Sequence, residues 1–447
     1  MPLLVMFDNV PSVGDTLLSH LLWADDLVLM ALDLDTAQKL FNTFVDYCKE
    51  WGLEINESKT NLVIFNKRSL KDNQDFVYMD NDPIKTVESY TYLGLTLHMN
   101  GSMSTAVYSL RTKALRAMFA LRKYVDRANL SFRSLLNLFD ALIKPILSYG
   151  AAIWGPLQNV TSAVIKTFDD QNDITANLKK LIDKIARDPS ETIQLKYLKW
   201  ALGVHKYASN LGCWGESGRM PIIDSGVRQA LKYLKRVEDL PHHLLVRKAL
   251  EDQKTHHLSW YTSLDAIRRN LGGTVADSTK EPLKEIFQAA WHSTLQTQTK
   301  LDFYRNLKPV FNSTPEGYLS LIPNYEHRTT TTRLRISSHQ LAIETGRYEG
   351  LERSERLCAT CDMGMVDSEE HFLAMCSTVN AERANLQRSL RVHDQSVPLD
   401  ATSVFSLTSA KAADLDSAQT EHLQQICKLL HAMYEKKLKK LEELKNA

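Results

Sequence analysis

Residues 17–32 read LLSHLLWADDLVLMAL, in which two apolar runs flank the acidic pair Asp25 and Asp26. This arrangement is typical of a β-hairpin that carries carboxylates at its turn. An ionised carboxylate buried between apolar strands needs a cation to offset its desolvation, and Mg²⁺ prefers carboxylate oxygens. In two-metal phosphoryl transfer, carboxylates hold such ions about 4 Å apart. From the hairpin alone, the alternative is a polar β-turn whose aspartates are solvated.

The sequence after this hairpin predicts a surface helix and several short strands. Asp35 is expected to N-cap a helix over 36–51, which has one apolar face and which Gly52 ends. Strands are predicted at 61–65, 76–79 and 91–98. These elements together predict an α+β unit with a partly antiparallel sheet.

The composition limits the class of protein. The 447 residues are enough for two or three domains, and the net charge of +1 gives no overall attraction to nucleic acid. No stretch reaches the roughly 18 apolar residues of a membrane helix, and the first ten residues lack the basic start of a signal peptide. We therefore expect no membrane association. An intracellular, reducing compartment is predicted, with nuclear and cytoplasmic locations both open.

A helical segment with a local basic patch begins at about residue 104. Residues 104–147 contain eight basic and two acidic side chains, a local charge of +6. The candidate nucleic-acid-binding residues on the face opposite the apolar stripe are Lys113, Arg116, Lys123 and Arg127. Such side chains position phosphates without reading a base sequence. The alternative is a solvated helix face.

A cysteine and histidine cluster has the pattern Cys358-x2-Cys361-x9-His371-x4-Cys376. Four ligand types that suit Zn²⁺ within 19 residues predict a closed, structural zinc site. Asp367 and Glu370 predict a helix start just before His371. The alternative is three unlinked thiols and a surface histidine. The other cysteines, Cys48, Cys213 and Cys427, are expected to be packing residues.

Several motifs, taken in order, resemble one family. Trp23-Ala24-Asp25-Asp26, followed by Leu27-Val28-Leu29, resembles the F/Y-A-D-D hairpin of reverse transcriptases. Gly52–Thr60 resembles a G-L-x-I-N-x-x-K-T motif, and Ser89–Gly94 resembles the Y-x-Y-L-G primer-grip segment. Further similar stretches are 142–150, 154–155, 198–204 and 215–219. From about 15 to 380, the chain resembles the C-terminal part of a non-LTR (LINE-type) retrotransposon reverse transcriptase.

The resemblance implies roles for individual residues. Asp25 and Asp26 would bind Mg²⁺, and Lys59 would lie near the leaving pyrophosphate as a further catalytic group. Tyr90, Tyr92 and Gly94 would shape the primer grip. The alternative for Lys59 is a solvated lysine, and the alternative for the three primer-grip residues is plain strand packing. An RNA template and a DNA primer are the partners implied.

Two departures from the family bear on catalysis. Trp23 replaces the usual Phe or Tyr, and the family's other catalytic Asp and its fingers lie well upstream of the acidic pair. Asp8 lies only 17 residues before Asp25 and is not assigned as that ligand. We therefore expect a chain truncated before those parts, without polymerase activity alone unless another chain supplies the missing half. The alternatives are a non-catalytic nucleic-acid-binding relic and a zinc-stabilised helical interaction protein that no longer binds nucleic acid. The missing polymerase half or a helical partner is the further protein partner expected.

The expected fold class is α+β, a partial palm followed by a mostly α-helical thumb and C-terminal region with a small zinc knuckle. The palm would combine an antiparallel sheet with a helix and carry the acidic hairpin and the primer-grip-like strand. The expected segments are a partial palm at 1–100, a basic helical thumb at 101–160, a helical C-terminal region at 161–345, a zinc-knuckle-like motif at 346–380 and a C-terminal helical segment at 381–447. A Gly-rich interruption of the helices is predicted at 212–218, and Trp214, Glu216 and Arg219 have no chemical assignment from sequence.

Overall fold

The computed structural model divides the chain into two compact units, each assembled from three separate segments. Residues 7–65, 77–79, 82–169, 174–273, 280–391, 398–410 and 414–446 are described. Unit 1 comprises Met1–Leu110, Gly150–Ile165 and Gly226–Lys280, and unit 2 comprises Arg111–Tyr149, Lys166–Ser225 and Glu281–Ala447. Segments that are distant in sequence therefore share one compact body.

Unit 1 contains all the named strands of the described residues, arranged as four separate two-stranded antiparallel sheets. The strands are β1 Ser12–Val13, β2 Thr16–Leu17, β3 His20–Trp23, β4 Asp26–Leu29, β5 Tyr78–Met79, β6 Asp82–Pro83, β7 Ser89–Tyr92 and β8 Leu95–His98. Each pairs with its neighbour in sequence. The fold is thus a mixed one with small antiparallel sheets, which agrees with the expected class at this coarser level.

The strands predicted after the first helix are shorter than expected. The strand predicted at 91–98 is wrong, because Leu93 and Gly94 adopt φ values of 45° and 82° and turn the chain into the hairpin β7–β8. At 61–65 the structure has only an isolated bridge from Leu62. The strand predicted at 76–79 is represented by β5, and its first residue lies outside the described part.

The first helix, α1, spans Leu34–Trp51. Its N-cap is Asp33, whose carboxylate accepts a hydrogen bond of 2.7 Å from the Thr36 N–H, so the prediction of Asp35 as the cap is wrong. Gly52 ends the helix with a φ of 64°, as predicted. This left-handed conformation is one that glycine adopts without steric cost.

The remaining helices account for most of the chain. They are α2 Ser104–Tyr124, α3 Phe132–Leu142, α4 Lys144–Leu147, α5 Ala151–Trp154, α6 Asn159–Asp169, α7 Ile174–Arg187, α8 Pro189–Ala201, α9 Asn210–Ser217, α10 Ile222–Glu238, α11 Leu245–Thr255, α12 Ser259–Asn270, α13 Lys284–Thr297, α14 Asp302–Leu307, α15 Tyr318–Leu321, α16 Tyr325–Arg335, α17 Ala342–Tyr348, α18 Asn380–Leu390, α19 Ala401–Leu407 and α20 Ser417–Asn446. None of the helices in the described ranges is long and apolar enough to cross a bilayer.

The long helix α20 lies in the core of unit 2. It packs against α16 and α18 and buries one apolar face. That face consists of Leu423, Ile426, Leu430 and Met433. The helix lies within the C-terminal helical segment predicted at 381–447, and its apolar face docks on the body of its own unit.

The Gly-rich stretch at 212–218 is helical for most of its length, so the predicted interruption is wrong. A Cβ on Gly212 would lie 2.9 Å from Ile336, and one on Gly215 would lie 2.3 Å from the Tyr304 hydroxyl. These glycines let α9 approach its neighbours closely, and this close packing stabilises a helix in spite of the poor helix propensity of glycine.

The residues left unassigned in this stretch are structural. Glu216 is fully buried and forms an ion pair with Arg335, and Trp214 donates a hydrogen bond of 2.7 Å from Nε1 to the Glu191 carboxylate. Arg219 donates to Asp140 at 2.7 Å. Because buried charges need partners, these contacts account for the polar residues of this segment.

Candidate functional site

The acidic pair lies at the tip of the hairpin β3–β4, as predicted. The two strands pair with Trp23 opposite Asp26, which leaves Ala24 and Asp25 as a two-residue turn. Ala24 has a φ of 53°, in the left-handed region that non-glycine residues seldom adopt. The tip is therefore a tight turn that places Asp25 and Asp26 at the end of the hairpin.

The hairpin tip is solvated, and its expected burial is wrong. Asp25 and Asp26 are exposed, and the neighbouring Trp23 side chain is 67% exposed. Only the base of the hairpin is covered, because Leu29 packs against the small cluster of Val10 and α1. The desolvation argument for a bound cation therefore does not apply to the pair in this structure.

No third acidic side chain joins this pair in the described part of the chain. Among the described residues, one group of three or more His, Cys, Asp or Glu side chains lies close enough together to hold a metal ion. It consists of Cys358, Cys361, His371 and Cys376. A two-metal centre needs several carboxylates to hold both ions. The described residues thus supply only part of such a centre at Asp25 and Asp26.

Lys59 and the primer-grip-like hairpin lie beside each other. Lys59 ends the 3-10 turn Glu57–Lys59 and is exposed, and the Tyr90 hydroxyl donates a hydrogen bond of 3.2 Å to its carbonyl. Gly94 forms the turn after β7, and Tyr92 pairs with Leu95. No hydrogen bond or ion pair between described residues joins Lys59 to the acidic pair. Lys59 and Tyr90, two of the predicted site residues, therefore lie next to each other.

The predicted basic face is present on α2 in part. Lys113, Arg116 and Lys123 are exposed, and no carboxylate of the described ranges pairs with them. The helix ends at Tyr124, so Arg127 lies beyond it, in a 3-10 turn. The Arg127 guanidinium donates a hydrogen bond of 2.6 Å to a backbone carbonyl within unit 2. Lys113, Arg116 and Lys123 therefore have no counter-charge among the described residues, whereas Arg127 is bound to a backbone carbonyl.

Exposed aromatic rings accompany these cations. Phe119 is 56% exposed and Tyr124 is 81% exposed. The Arg122 guanidinium lies 5.9 Å from the Phe119 ring centre, and the Lys123 ammonium lies 5.7 Å from that of Tyr124. Cationic side chains attract phosphates, and exposed aromatic rings provide surfaces on which unpaired bases can stack.

The cysteine and histidine residues converge on one point in unit 2. Their four ligand atoms lie within 4.8 Å of one another. The sulfurs of Cys358 and Cys376 are 3.9 Å apart, and Cys361 Sγ is 3.3 Å from His371 Nε2. A tetrahedron with Zn–S distances near 2.3 Å places sulfurs about 3.8 Å apart. The donor set therefore fits a zinc ion in type and in spacing.

The local backbone explains how His371 and Cys376 reach the same point. Residues His371–Met375 form a π-helical turn, in which the Cys376 N–H donates a hydrogen bond of 2.7 Å to the His371 carbonyl. In an α-helix, residues five apart point about 140° away from each other. The wider π turn brings them to one face, and such turns are frequent at functional sites.

The predicted helix start before His371 is present, but its cap is different from the one expected. Ser368 Oγ accepts a hydrogen bond from the His371 N–H. Asp367 is buried and accepts hydrogen bonds from the Ala342 N–H at 3.0 Å and from Lys437 at 2.9 Å. Asp367 thus stabilises tertiary contacts of the centre rather than the end of a helix.

Lys437 is a neighbour of the centre that sequence reasoning missed. It is fully buried, and its ammonium lies 2.8 Å from Cys358 Sγ. Burial lowers the pKa of Lys437, but the Asp367 charge and the Cys358 sulfur outweigh this and raise it overall. The available signal was a lysine at position 437 on the apolar face of α20, one turn after Met433.

The two buried sulfurs differ in acidity. A hydrogen bond from Cys358 is the main reason that the pKa of Cys376 falls to about 5, and the same contact raises the pKa of Cys358. The positive charge of Lys437 also lowers the pKa of Cys376. Because metals bind thiolates, the lowered pKa of Cys376 favours metal binding near neutral pH, whereas the raised pKa of Cys358 opposes it.

A comparison with known families matches the N-terminal part of the chain. Residues 6–97 match the family described as reverse transcriptase (RNA-dependent DNA polymerase). The matched range contains the acidic hairpin, Lys59 and the residues Tyr90, Tyr92 and Gly94. It ends before α2 and the cysteine and histidine centre.

Two curated relatives come from transposons. A transposon-derived protein of Caenorhabditis elegans is 26% identical over 202 residues, which cover 41% of this chain and 70% of that protein. A Drosophila melanogaster protein named as an RNA-directed DNA polymerase from transposon X-element is 29% identical over 123 residues. That alignment covers 27% of this chain and 13% of the fly protein. The chain thus spans most of one relative and a small part of the other.

Proposed function

We propose that this chain, a reverse-transcriptase-like protein of the non-LTR retrotransposon type, binds an RNA template paired with a DNA primer through the basic face of α2. The observation that carries the proposal is the set of exposed cations Lys113, Arg116 and Lys123, which lack carboxylate partners in the described part of the chain. Unpaired cations on one helix face attract phosphates and release their counterions.

In this proposal α2 acts as a thumb helix and unit 1 carries part of a palm. The cations of α2 contact the duplex backbone, and the rings of Phe119 and Tyr124 are available for unpaired bases at its end. Such contacts position a nucleic acid and are independent of its sequence.

The acidic hairpin has a separate role in the proposal. Asp25 and Asp26 bind Mg²⁺ when further carboxylates complete the centre, and Lys59 then offsets charge on the leaving pyrophosphate. Tyr90 supports the primer end through its contact with the Lys59 backbone. We propose that the chain alone does not catalyse DNA synthesis.

The cysteine and histidine centre is proposed to be a zinc knuckle of the LINE type. Its four protein ligands leave no open position, which is the arrangement of a structural site. Cys358, Cys361, His371 and Cys376 would hold the ion, which would cross-link the segment that carries Cys358 and Cys361 to the π turn His371–Met375 of unit 2. A reducing, intracellular compartment keeps such thiolates free for the metal.

The binding proposal is tested by fluorescence anisotropy with a labelled RNA–DNA duplex over a range of salt concentrations. The test variant carries Lys113→Glu, Arg116→Glu and Lys123→Glu. The matched control carries Lys179→Glu, Lys180→Glu and Lys184→Glu, which are exposed on α7 in the same unit. We expect the test variant to bind at least tenfold more weakly, with a salt slope lower by about 3.

The outcomes separate the possible functions. Equal affinity and slope in the two variants would refute the role of α2. No salt-dependent binding by the unmodified chain would refute nucleic-acid binding altogether and favour a helical interaction protein.

A further inference from the structure

Lys437 is fully buried beside the metal centre, and lysine side chains are seldom buried in this way. Its relative exposure is 0%, and its ammonium lies 2.8 Å from Cys358 Sγ, 2.9 Å from Asp367 Oδ1 and 3.4 Å from Cys376 Sγ. A buried ammonium is costly unless charged partners surround it. Two cysteine sulfurs and one carboxylate supply those partners here.

The net charge of the centre with Zn²⁺ bound explains why a cation lies beside it. Three thiolates and one neutral histidine around Zn²⁺ carry a net charge of −1, and Asp367 adds a second negative charge within the same buried region. Lys437 is a buried cation that contacts the sulfurs themselves and offsets part of this charge, and Arg383, which donates to the Cys376 carbonyl, is a second one. Its N–H groups also donate to the ligand sulfurs, as groups around metal ligands commonly do.

The histidine side of the centre has no comparable support. Nδ1 of His371 is buried and has no hydrogen-bond partner among the described residues. Ligand histidines usually donate from the second ring nitrogen to a neighbouring group. Support by hydrogen bonds therefore reaches the centre mainly from its sulfur side, where Lys437 lies.

The helix that carries Lys437 also packs on the centre with apolar side chains. The ring of Tyr434 meets that of Phe372 edge-on at 6.1 Å, and the Tyr434 hydroxyl accepts a hydrogen bond from the Gln340 N–H at 2.9 Å. Met433 belongs to the same buried cluster as Cys358. One segment of α20, residues 430–441, thus contacts the centre with both apolar and charged groups.

We propose that Lys437 completes the metal centre from α20, so that zinc binding and the docking of residues 430–441 stabilise each other. The inference rests on the zinc assignment made above. Because coupling between two equilibria is reciprocal, loss of either partner weakens the other by the same factor.

The first test measures zinc affinity of the full chain by competition with a chromogenic chelator. We expect Lys437→Met to weaken zinc binding by 10- to 100-fold, the usual effect of removing a group that supports metal ligands. Lys440→Met is the matched control, because Lys440 is exposed on the same helix and pairs only with Glu443 in the described part of the chain. Cys361→Ser removes a ligand and is expected to abolish binding.

A second variant covers the case in which Lys437→Met alone unfolds the unit by leaving Asp367 unpaired. Asp367→Asn combined with Lys437→Met leaves no unpaired carboxylate at position 367, and we again expect weaker zinc binding because the ligand sulfurs lose the N–H donors of Lys437. In the unmodified chain, hydrogen exchange is compared with and without zinc. We expect zinc removal to raise exchange over 430–441 at least tenfold more than over 417–426.

Each outcome supports or overturns the inference. If Cys361→Ser abolishes zinc binding while both Lys437 variants bind within twofold of the unmodified chain, the zinc site stands and the coupling is wrong. Equal exchange over 430–441 in the two states also overturns it. If the unmodified chain binds no zinc, both the zinc assignment and the inference fall.

Discussion

At the scale of single residues, Arg335 is the most heavily engaged charged side chain of unit 2. It is fully buried and pairs with Glu216 at 2.9 Å and with Glu316 at 2.9 Å. It also donates to the Thr408 hydroxyl at 2.7 Å. Glu316 pairs in addition with Lys308. Every charge of the cluster has a partner, which is the condition for burying it.

Replacing Arg335 should destabilise the protein strongly. Arg335→Met removes the guanidinium and leaves the Glu216 carboxylate buried without its ion partner, so we expect the free energy of unfolding to fall by about 3–5 kcal/mol. Urea unfolding followed by circular dichroism measures the loss. Arg353→Met is the control, because Arg353 is 59% exposed and its loss should change stability by less than about 1 kcal/mol. A loss for Arg335→Met as small as that of the control would contradict this account.

At the scale of secondary-structure elements, glycines decide where α9 begins to pack and where it ends. Gly218 follows the helix with a φ of 61°, and a Cβ there would lie 2.2 Å from the backbone carbon of Thr314. Both the backbone conformation and the lack of space require glycine. The packing of α9, rather than chemistry at a functional site, thus explains the glycines around Glu216.

The substitution Gly218→Ala tests this packing. It adds left-handed strain of about 1–2 kcal/mol and a clash of about 1–3 kcal/mol with backbone that must shift. We expect a total loss of about 2–5 kcal/mol in the free energy of unfolding, measured by thermal and urea unfolding. Gly350→Ala is matched for backbone, since Gly350 has a φ of 73° but no atom within 4 Å of the added Cβ. The close approach is disproved if the two variants lose the same stability.

At the scale of the whole molecule, each unit draws on three separate segments of the chain. Unit 1 contains the acidic hairpin and the residues of the family match, and unit 2 contains most of α2 and the cysteine and histidine centre. Motifs that follow each other in sequence are therefore distributed over two bodies.

We expect the isolated chain to extend no primer on an RNA template in the presence of Mg²⁺. The reason is that Asp25 and Asp26 are exposed and no third acidic side chain accompanies them in the described ranges. Incorporation of labelled nucleotide is compared between the unmodified chain and the double variant Asp25→Asn, Asp26→Asn, with an active reverse transcriptase as the positive control. DNA synthesis that the double variant lacks would show that the acidic pair is part of a working centre.

The sequence by itself determined the acidic hairpin, the end of α1 at Gly52 and the identities of the candidate metal ligands. The apolar runs beside Asp25 and Asp26 predicted the hairpin, because this pattern depends on neighbouring residues alone. The spacing from Cys358 to Cys376 predicted a metal cluster, and its four ligand atoms do converge.

Only the tertiary structure decided which charges are buried and with what. Asp25 and Asp26 are solvated because nothing covers the tip of their hairpin, although their apolar neighbours predicted burial. Lys437 lies beside Cys358 although 79 residues separate them. No pattern of neighbouring residues encodes such a contact, since it arises when helices from distant segments pack together and desolvated charges must find partners.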